Sequence, residues 1–570
     1  LYRVSPPLRL VTLVLLLLRM RLTPEQVSLA VISFASLGHH LPGFMRAYGD
    51  RELFQRFRTR FLLAPPLAFG LALLFTPPSW LASALNLPWT HLHGLELILL
   101  LWGTWHGLMQ TYGFMRIYDL RRGENEIREA RLDHALCVAV FVCGVVFSDA
   151  RVFGVANAMW QSGLPLFGPA WLTGVRWVVG ASSALVAGAY LWNLAARIRQ
   201  GRSINLLKLL LVGITGWFFW YTGRLSTNLL IGLAMFEIYH AVQYYAIVWI
   251  YNRRLLERAG ERFGPLGFLF RDRYAMLGVY LALIGAYSSI RYFTGDGSDY
   301  IFTSGANLDA YQWLFALFVA SSLLHFYYDG FIWKVSEQKT RDNLVDQTDA
   351  EAIRERRVSA AAHLGKWAVL LAIIGALLAA ERQRLAADPA AHEAQQRRAL
   401  AELMPDLPEV QLLRSREAMA AGDLERAAQL ARQAAASRPQ AAQVHADAGA
   451  VLLSAGAYEY AQPLLKSAVS RLPGDWQARI GLALTNQALD DPQAAEQLFR
   501  DAIDLQPHLP APRKHLAEFF RRQGRHAEAA EELQALAEVE PDNVQTALAL
   551  GDALRAAERP EQALAEFRRA

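Results

Sequence analysis

Apolar residues run unbroken for long stretches through the first two thirds of the chain, then give way to a short-period mixture of Ala, Leu and charged residues. A helical bilayer span needs about 20 predominantly apolar residues. Runs of that kind lie at 25–44, 61–77, 93–115, 132–149, 170–195, 204–222, 228–251, 275–293, 310–333 and 365–380. The first is opened by Thr23 and Pro24, a favourable N-cap and first-turn pair. The shorter run Val11–Leu18, followed by Arg19 and Arg21, reads either as a further span or as an interfacial helix. The intervening loops alternate in charge. Those around Arg46–Arg60, Arg116–Arg131, Arg197–Lys208, Arg253–Arg273 and Lys334–Lys366 are basic or heavily charged, whereas 78–92, 150–169, 223–227 and 294–309 carry few cations. Cationic loops stay on the cytoplasmic side. The pattern predicts an all-α protein: a polytopic bundle of about ten spans in a bacterial inner (cytoplasmic) membrane, with everything beyond Glu381 in the periplasm.

The polar part has a period of its own. Pro439, Pro473, Pro507 and Pro541 stand 34 residues apart, as do Ala427, Ala461, Ala495, Ala529 and Ala563. Gly422, Gly456 and Gly524 share one repeat position, and Gly449 and Gly551 another. Small residues let two helices approach closely, and Pro closes each unit. This pattern resembles the tetratricopeptide repeat family over about 409–570, as some five helix-turn-helix units with the last incomplete. Asp490 and Glu558 depart from the turn glycine, and Leu536 stands where Ala434, Ala468 and Ala502 sit. The resemblance implies an α-solenoid that binds a protein or peptide partner in a concave groove. The expected organisation is a transmembrane domain over 1–380, a polar helical connector over 381–408 and the repeats over 409–570. The chain starts at Leu1 rather than Met and stops within a repeat, so it reads as a piece of a longer protein.

Composition sharpens the division. The 570 residues are 53% hydrophobic and only 19% charged, below the roughly 25% usual for soluble domains. The net charge of +5 does not indicate nucleic acid, because the excess cations sit in short loops beside apolar runs. Cys137 and Cys143, the only two cysteines, share one run. They exclude a disulfide framework and a cysteine-based zinc site.

Ionisable residues inside apolar spans are costly and carry functional information by default. His39, His40, His106, Glu237, His240, His325 and Asp329 are such residues. The four runs that hold them all point from outside to inside on the topology above. At 1.5 Å per residue they lie about 8 to 22 Å from the cytoplasmic boundary, so four helices carry histidines in one layer. Glu237 and His240 are i, i+3; His325 and Asp329 are i, i+4; Gln110 follows His106 by four and Gln243 follows His240 by three. Each of these pairs shares a helix face, as expected where a polar neighbour orients an imidazole ligand. Tyr112, Tyr239, Tyr244, Tyr327 and Tyr328 are nearby sources of hydrogen bonds.

A set of histidines and carboxylates without thiolate suits iron, copper or zinc better than magnesium or calcium. The assignment is non-haem iron held by His39 or His40, His106, His240 and His325. Glu237 and Asp329 act as ligands or bases, Gln110 and Gln243 as orienting groups, and Tyr112 as a supporting donor. Adjacent helical residues point about 100° apart, so only one of His39 and His40 is expected to face the site. The expected activity is oxidation of a lipid-phase substrate. Haem b ligated by two of the histidines, a proton relay, and plain structural packing are the competing readings. His91, His93, His134 and His363 read as interfacial.

The layout resembles, loosely, membrane-embedded His-ligated iron oxygenases such as the bacterial carotene-cleaving dioxygenase group, and that resemblance transfers no ligand. The histidine boxes of fatty-acid desaturases are absent. A membrane glycosyltransferase with periplasmic repeats would place an acidic pair in an early outer loop. Here Asp50 and Glu52 fall in a loop assigned to the cytoplasm, and the outer loops offer Asp149, Asp296 and Asp299 without such a pair. A non-catalytic scaffold that gathers partners at a membrane is the remaining class. There is no phosphate-binding Gly-x-x-x-x-Gly-Lys-Ser/Thr loop and no His-Glu-x-x-His. The acidic turn 295–300 and the basic runs 271–274 and 354–357 read as a turn and as membrane anchors.

Overall fold

The computed structural model of the chain describes residues 31–124, 126–224, 229–259, 267–271, 274–292, 308–333, 360–541 and 543–570. All regular structure among them is helical. They divide into two compact units, one ending at Met404 and one over Pro405–Ala570. The Val11–Leu18 run, the 295–300 turn and the 354–357 run lie outside the described residues.

The first unit is a bundle. Its main helices are α1 (His40–Gly49), α2 (Arg58–Phe75), α3 (Gly94–Leu120), α4 (Ile127–Val146), α5 (Asp149–Gln161), α6 (Pro169–Arg199), α7 (Leu206–Arg224), α8 (Leu229–Ala259), α9 (Tyr274–Tyr292), α10 (Leu308–Ile332), α11 (Ala360–Leu385) and α12 (Pro389–Leu403). Five helices among the described residues are long and apolar enough to cross a membrane, or six if α4 and α5, bent by 80° at their junction, count as one broken span. Along α6 only Leu172 and Tyr190 are buried, and Trp177 is 76% exposed. Monomeric soluble proteins rarely expose apolar surface so continuously.

Two expected elements differ from the reading of the sequence. The run 25–44 is not one helix: within its described part, π-helical turns span Ile32–Leu37 and α1 restarts at His40. The stretch 150–169, expected to be a loop, is mostly α5. The Ser148 side chain accepts from the Arg151 backbone N–H and starts a new helix where the apolar run ends.

Two polar clamps close the bundle. Where α3 begins, buried Glu381 of α11 accepts from the backbone N–H groups of His93 (2.6 Å) and Gly94 (3.0 Å). A carboxylate at a helix N-terminus satisfies orphan donors and complements the helix dipole. Where α3 ends, Asp119 and Asp133 face Lys208 Nζ at 3.0 and 3.1 Å, and Arg116 reaches Asp119 at 2.9 Å. Asn205 donates to Asp119 and Tyr190 to Asp133. The connector residues pack on α5: His392 stacks on Trp160 and Gln396 donates to Asn157.

The second unit is five antiparallel helix pairs: α13 and α14 (Pro408–Ala420, Leu424–Ser437), α15 and α16 (Ala442–Ser454, Tyr458–Arg471), α17 and α18 (Trp476–Ala488, Pro492–Leu505), α19 and α20 (Pro510–Arg522, His526–Val539), and α21 and α22 (Val544–Ala556, Pro560–Arg569). The periodic alanines Ala427, Ala461, Ala495, Ala529 and Ala563 are all buried. A Cβ at Gly449 would stand 2.5 Å from Leu465 Cγ, which shows how closely α15 and α16 approach. Asp490 and Glu558 adopt φ of 62° and 61°, the left-handed turn that Gly422, Gly456 and Gly524 supply in other pairs.

Candidate metal centre

Four helical segments bring their histidines to one point inside the first unit. His39 comes from the turn before α1, His40 from the first position of α1, His106 from α3, His240 from α8 and His325 from α10, and all five are buried. Ring centroids lie 4.5 Å apart for His39–His325, 4.4 Å for His40–His325, 4.6 Å for His106–His325, 5.0 Å for His39–His240 and 5.1 Å for His106–His240. The expectation that only one of His39 and His40 faces inward is corrected. The shift from π- to α-helical winding falls at this pair, so the usual 100° between neighbours does not send one of them outward. Such local π-helix frequently marks functional positions.

The nitrogen atoms sort into three overlapping groups. His39, His106 and His240 form one, His39, His40 and His325 a second, and His106, His325 and Asp329 a third, each with its ligand atoms within 4.8 Å of one another. The Nε2 atoms of His106 and His325 are 3.1 Å apart, and Asp329 Oδ2 stands 3.9 and 3.7 Å from them. Two imidazoles bound side by side on one ion at about 2.0–2.1 Å each stand roughly 3.0–3.4 Å apart. Among the described residues, buried His325 Nδ1 has no hydrogen-bond partner.

A shell of donors fixes the set. His39 Nδ1 donates to the Ala35 carbonyl at 3.0 Å, which leaves Nε2 as the lone-pair nitrogen. His40 Nδ1 meets the Ser321 hydroxyl at 2.8 Å, itself 2.6 Å from the Tyr287 hydroxyl. Asp329 Oδ1 accepts from Tyr244 at 2.8 Å and Trp333 Nε1 at 3.1 Å. Behind them the buried Arg46 guanidinium lies between the rings of Tyr251 and Trp333, 3.8 Å from each centroid. Stacking on these two rings helps to hold this cation in the interior.

The other expected site residues fall elsewhere. Gln110 Nε2 donates to the His240 backbone carbonyl and to Gln243 Oε1, so these amides tie α3 to α8. Glu237 is half-buried on α8 and does not join the three groups. Tyr112 packs edge-on against His134. Reading the sequence missed Tyr244 as the Asp329 donor, Ser321, Trp333 and Arg46. The Asp329–Trp333 spacing of four is the sign in the sequence of one contact, and Arg46 opens a charged stretch that the sequence pattern assigns to the cytoplasm. His91 and His93 both reach Glu96, at 2.9 and 3.2 Å, at the opposite end of α3.

A cleft of about 1270 Å³ runs beside the cluster, with His106, Tyr244 and Asp329 on its inner wall and Trp102, Trp105, Phe326 and Trp367 among its aromatic lining.

The chain therefore combines a helical bundle enclosing a histidine cluster with a separate helical-repeat array. The tetratricopeptide repeat family model matches residues 487–550, and the C-terminal array is a tetratricopeptide-repeat array. Similar solved structures include the MamA protein (19% identity, TM-score 0.26, covering 29% of this chain and 91% of that one). Others are YrrB, a TPR protein with an unusual peptide-binding site (19%, 0.25, 30% and 87%), and pilF from Pseudomonas aeruginosa (18%, 0.26, 30% and 79%). No curated protein matches the chain.

Proposed function

We propose that the chain is a membrane-embedded, metal-dependent oxidoreductase acting on a lipid-phase substrate, with non-haem iron at the histidine cluster and a repeat module that recruits a protein or peptide. The observation that carries this reading is the 3.1 Å approach of His106 and His325 beside Asp329. His106, His325 and Asp329 would hold the ion, and a set of two histidines and one carboxylate is suited to ferrous iron and oxygen chemistry. Ligands on opposite sides of a haem would stand about 4 Å apart at the same bond lengths, and the close ring-to-ring packing favours a bare ion.

When bound, iron would supply oxygen activation. The chain's own residues prepare the site. Asp329 keeps Oδ2 toward the histidines because Tyr244 and Trp333 occupy Oδ1. The Ala35 carbonyl fixes the His39 ring, and the Gln110–Gln243 pair fixes the spacing of α3 and α8. The cleft offers a largely apolar approach to His106.

Support for embedding comes from the exposed apolar faces and from which loops meet. The segments assigned outside touch each other: Glu381 caps α3 beside His93, and Gln396 reaches Asn157. Those assigned inside do likewise: Arg197 bridges Glu124 and Glu129, and Arg122 reaches Ser203 and the Ile204 carbonyl.

Metal analysis with an absorption spectrum of the purified full chain tests the proposal. Iron near one equivalent or above without a Soret band supports it. A Soret band transfers the site to haem, and protein with neither metal nor haem refutes it.

A further inference from the structure

The cleft beside the histidines is apolar along its length but unevenly charged. Its inner wall carries one carboxylate, Asp329, next to His106. Toward the ends of helices that carry the basic loops it is lined by Arg60 at the start of α2, Arg131 near the start of α4 and Lys366 near the start of α11. Arg131 and Lys366 are exposed, and among the described residues none of these three cations is paired with a carboxylate. Arg60 instead rests over the rings of Phe57 and Phe331, at 5.3 and 5.1 Å. Arg116 on α3 marks the same level, and its charge is already met by Asp119.

Between that level and the centre the lining is mostly aromatic and aliphatic, with Gln110, Tyr112 and His134 among its neutral polar members, and exposed Trp105, Val369 and Ile373 leave it open at the side. His106 stands ten residues before Arg116 on one helix, about 15 Å along the axis at 1.5 Å per residue. An apolar groove with its cations gathered at one end fits a molecule that is apolar for most of its length and anionic at one tip.

We propose that the cleft binds an acyl chain ending in an anionic head, with the head among Arg60, Arg131 and Lys366 and the middle of the chain beside His106 and Asp329. This rests on the oxidoreductase reading for its purpose but not for its test. A neutral hydrocarbon would leave the three cations without a role, and a cationic amphiphile would be repelled by them. A free long-chain carboxylate and a one-chain lipid phosphate share this chemistry.

The experiment is equilibrium binding of tritiated palmitate to the purified full chain in neutral detergent, with hexadecanol, hexadecyltrimethylammonium and lysophosphatidylglycerol as competitors. Palmitate is expected to bind at least tenfold more tightly than hexadecanol, and the ammonium compound not to compete. Competition by lysophosphatidylglycerol at comparable affinity identifies a lipid phosphate as an accepted head; its failure identifies the free carboxylate. The Arg60→Gln, Arg131→Gln, Lys366→Gln triple variant should lose the preference for palmitate, and Arg60→Lys, Arg131→Lys, Lys366→Arg should keep it. Equal affinity for palmitate and hexadecanol, or a preference that survives the glutamine variant, overturns the proposal. Iron-free protein that still selects the anionic chain sustains the cleft assignment while refuting the metal centre. Iron-loaded protein indifferent to the head group does the reverse.

Discussion

A Cβ added at Gly43 would stand 2.6 Å from the Tyr244 hydroxyl, the group that donates to Asp329. Glycine at this turn of α1 lets Tyr244 reach the carboxylate. Gly43→Ala should push the hydroxyl away and weaken iron binding about 10- to 100-fold, the usual effect of losing a group that orients a metal ligand. Chelator competition reads it, and unchanged affinity in the folded variant contradicts the role given to Tyr244. The histidines themselves were legible as polar residues at matched depth in four apolar runs. Their partners were not. Tyr244 stands out as a nearby hydrogen-bond source without a partner assigned, Ser321 and Trp333 are ordinary residues in apolar helices, and only the convergence of α1, α8, α9 and α10 reveals what they touch. The placement of both His39 and His40 was hidden for a different reason: regular α-helical geometry does not anticipate π-helical turns.

The helices are held at both ends of α3 by buried charges that lie at the borders of apolar runs. Asp119 and Asp133 look like loop-flanking acids among arginines, yet both are buried against Lys208. Removing one partner of a buried ion set leaves an uncompensated charge and costs about 3–5 kcal/mol. Lys208→Met should destabilise the folded protein by that order in a detergent unfolding experiment, and a change under about 1 kcal/mol would place the cluster with ordinary surface pairs. Glu381→Ala at the other end removes two charge-assisted hydrogen bonds and should cost about 1–3 kcal/mol. In the repeats, the 34-residue period made the helix pairs readable because each unit repeats the same packing problem. There, Arg525 donates to Glu496 and holds its carboxyl below the usual range. A carboxyl with a depressed native pKa stabilises the fold above its unfolded pKa and loses that contribution as the pH falls through its native value. The array should therefore weaken on acidification, and Glu496→Gln should flatten that part of the pH–stability curve.

At the scale of the molecule, the proposed function places the bundle in lipid with α12 on the periplasmic side, a reading consistent with the apolar exposure of α6. A phosphatase reporter fused after Leu400 should be active in the periplasm, whereas cytoplasmic activity would overturn both topology and the depth ordering of the histidines. About ten apolar runs were readable from the sequence. Among the described residues, five helices satisfy length and apolarity as spans, or six with the bent pair. Several of the others, α3 and α8 among them, carry polar residues that serve the centre and the clamps. The most direct measurement is iron quantification, with an absorption spectrum, on the purified full chain and its His106→Ala and His325→Ala variants. The account predicts iron without a Soret band in the parent chain and its loss from both variants. No bound metal in the parent, or full retention in both folded variants, would contradict it.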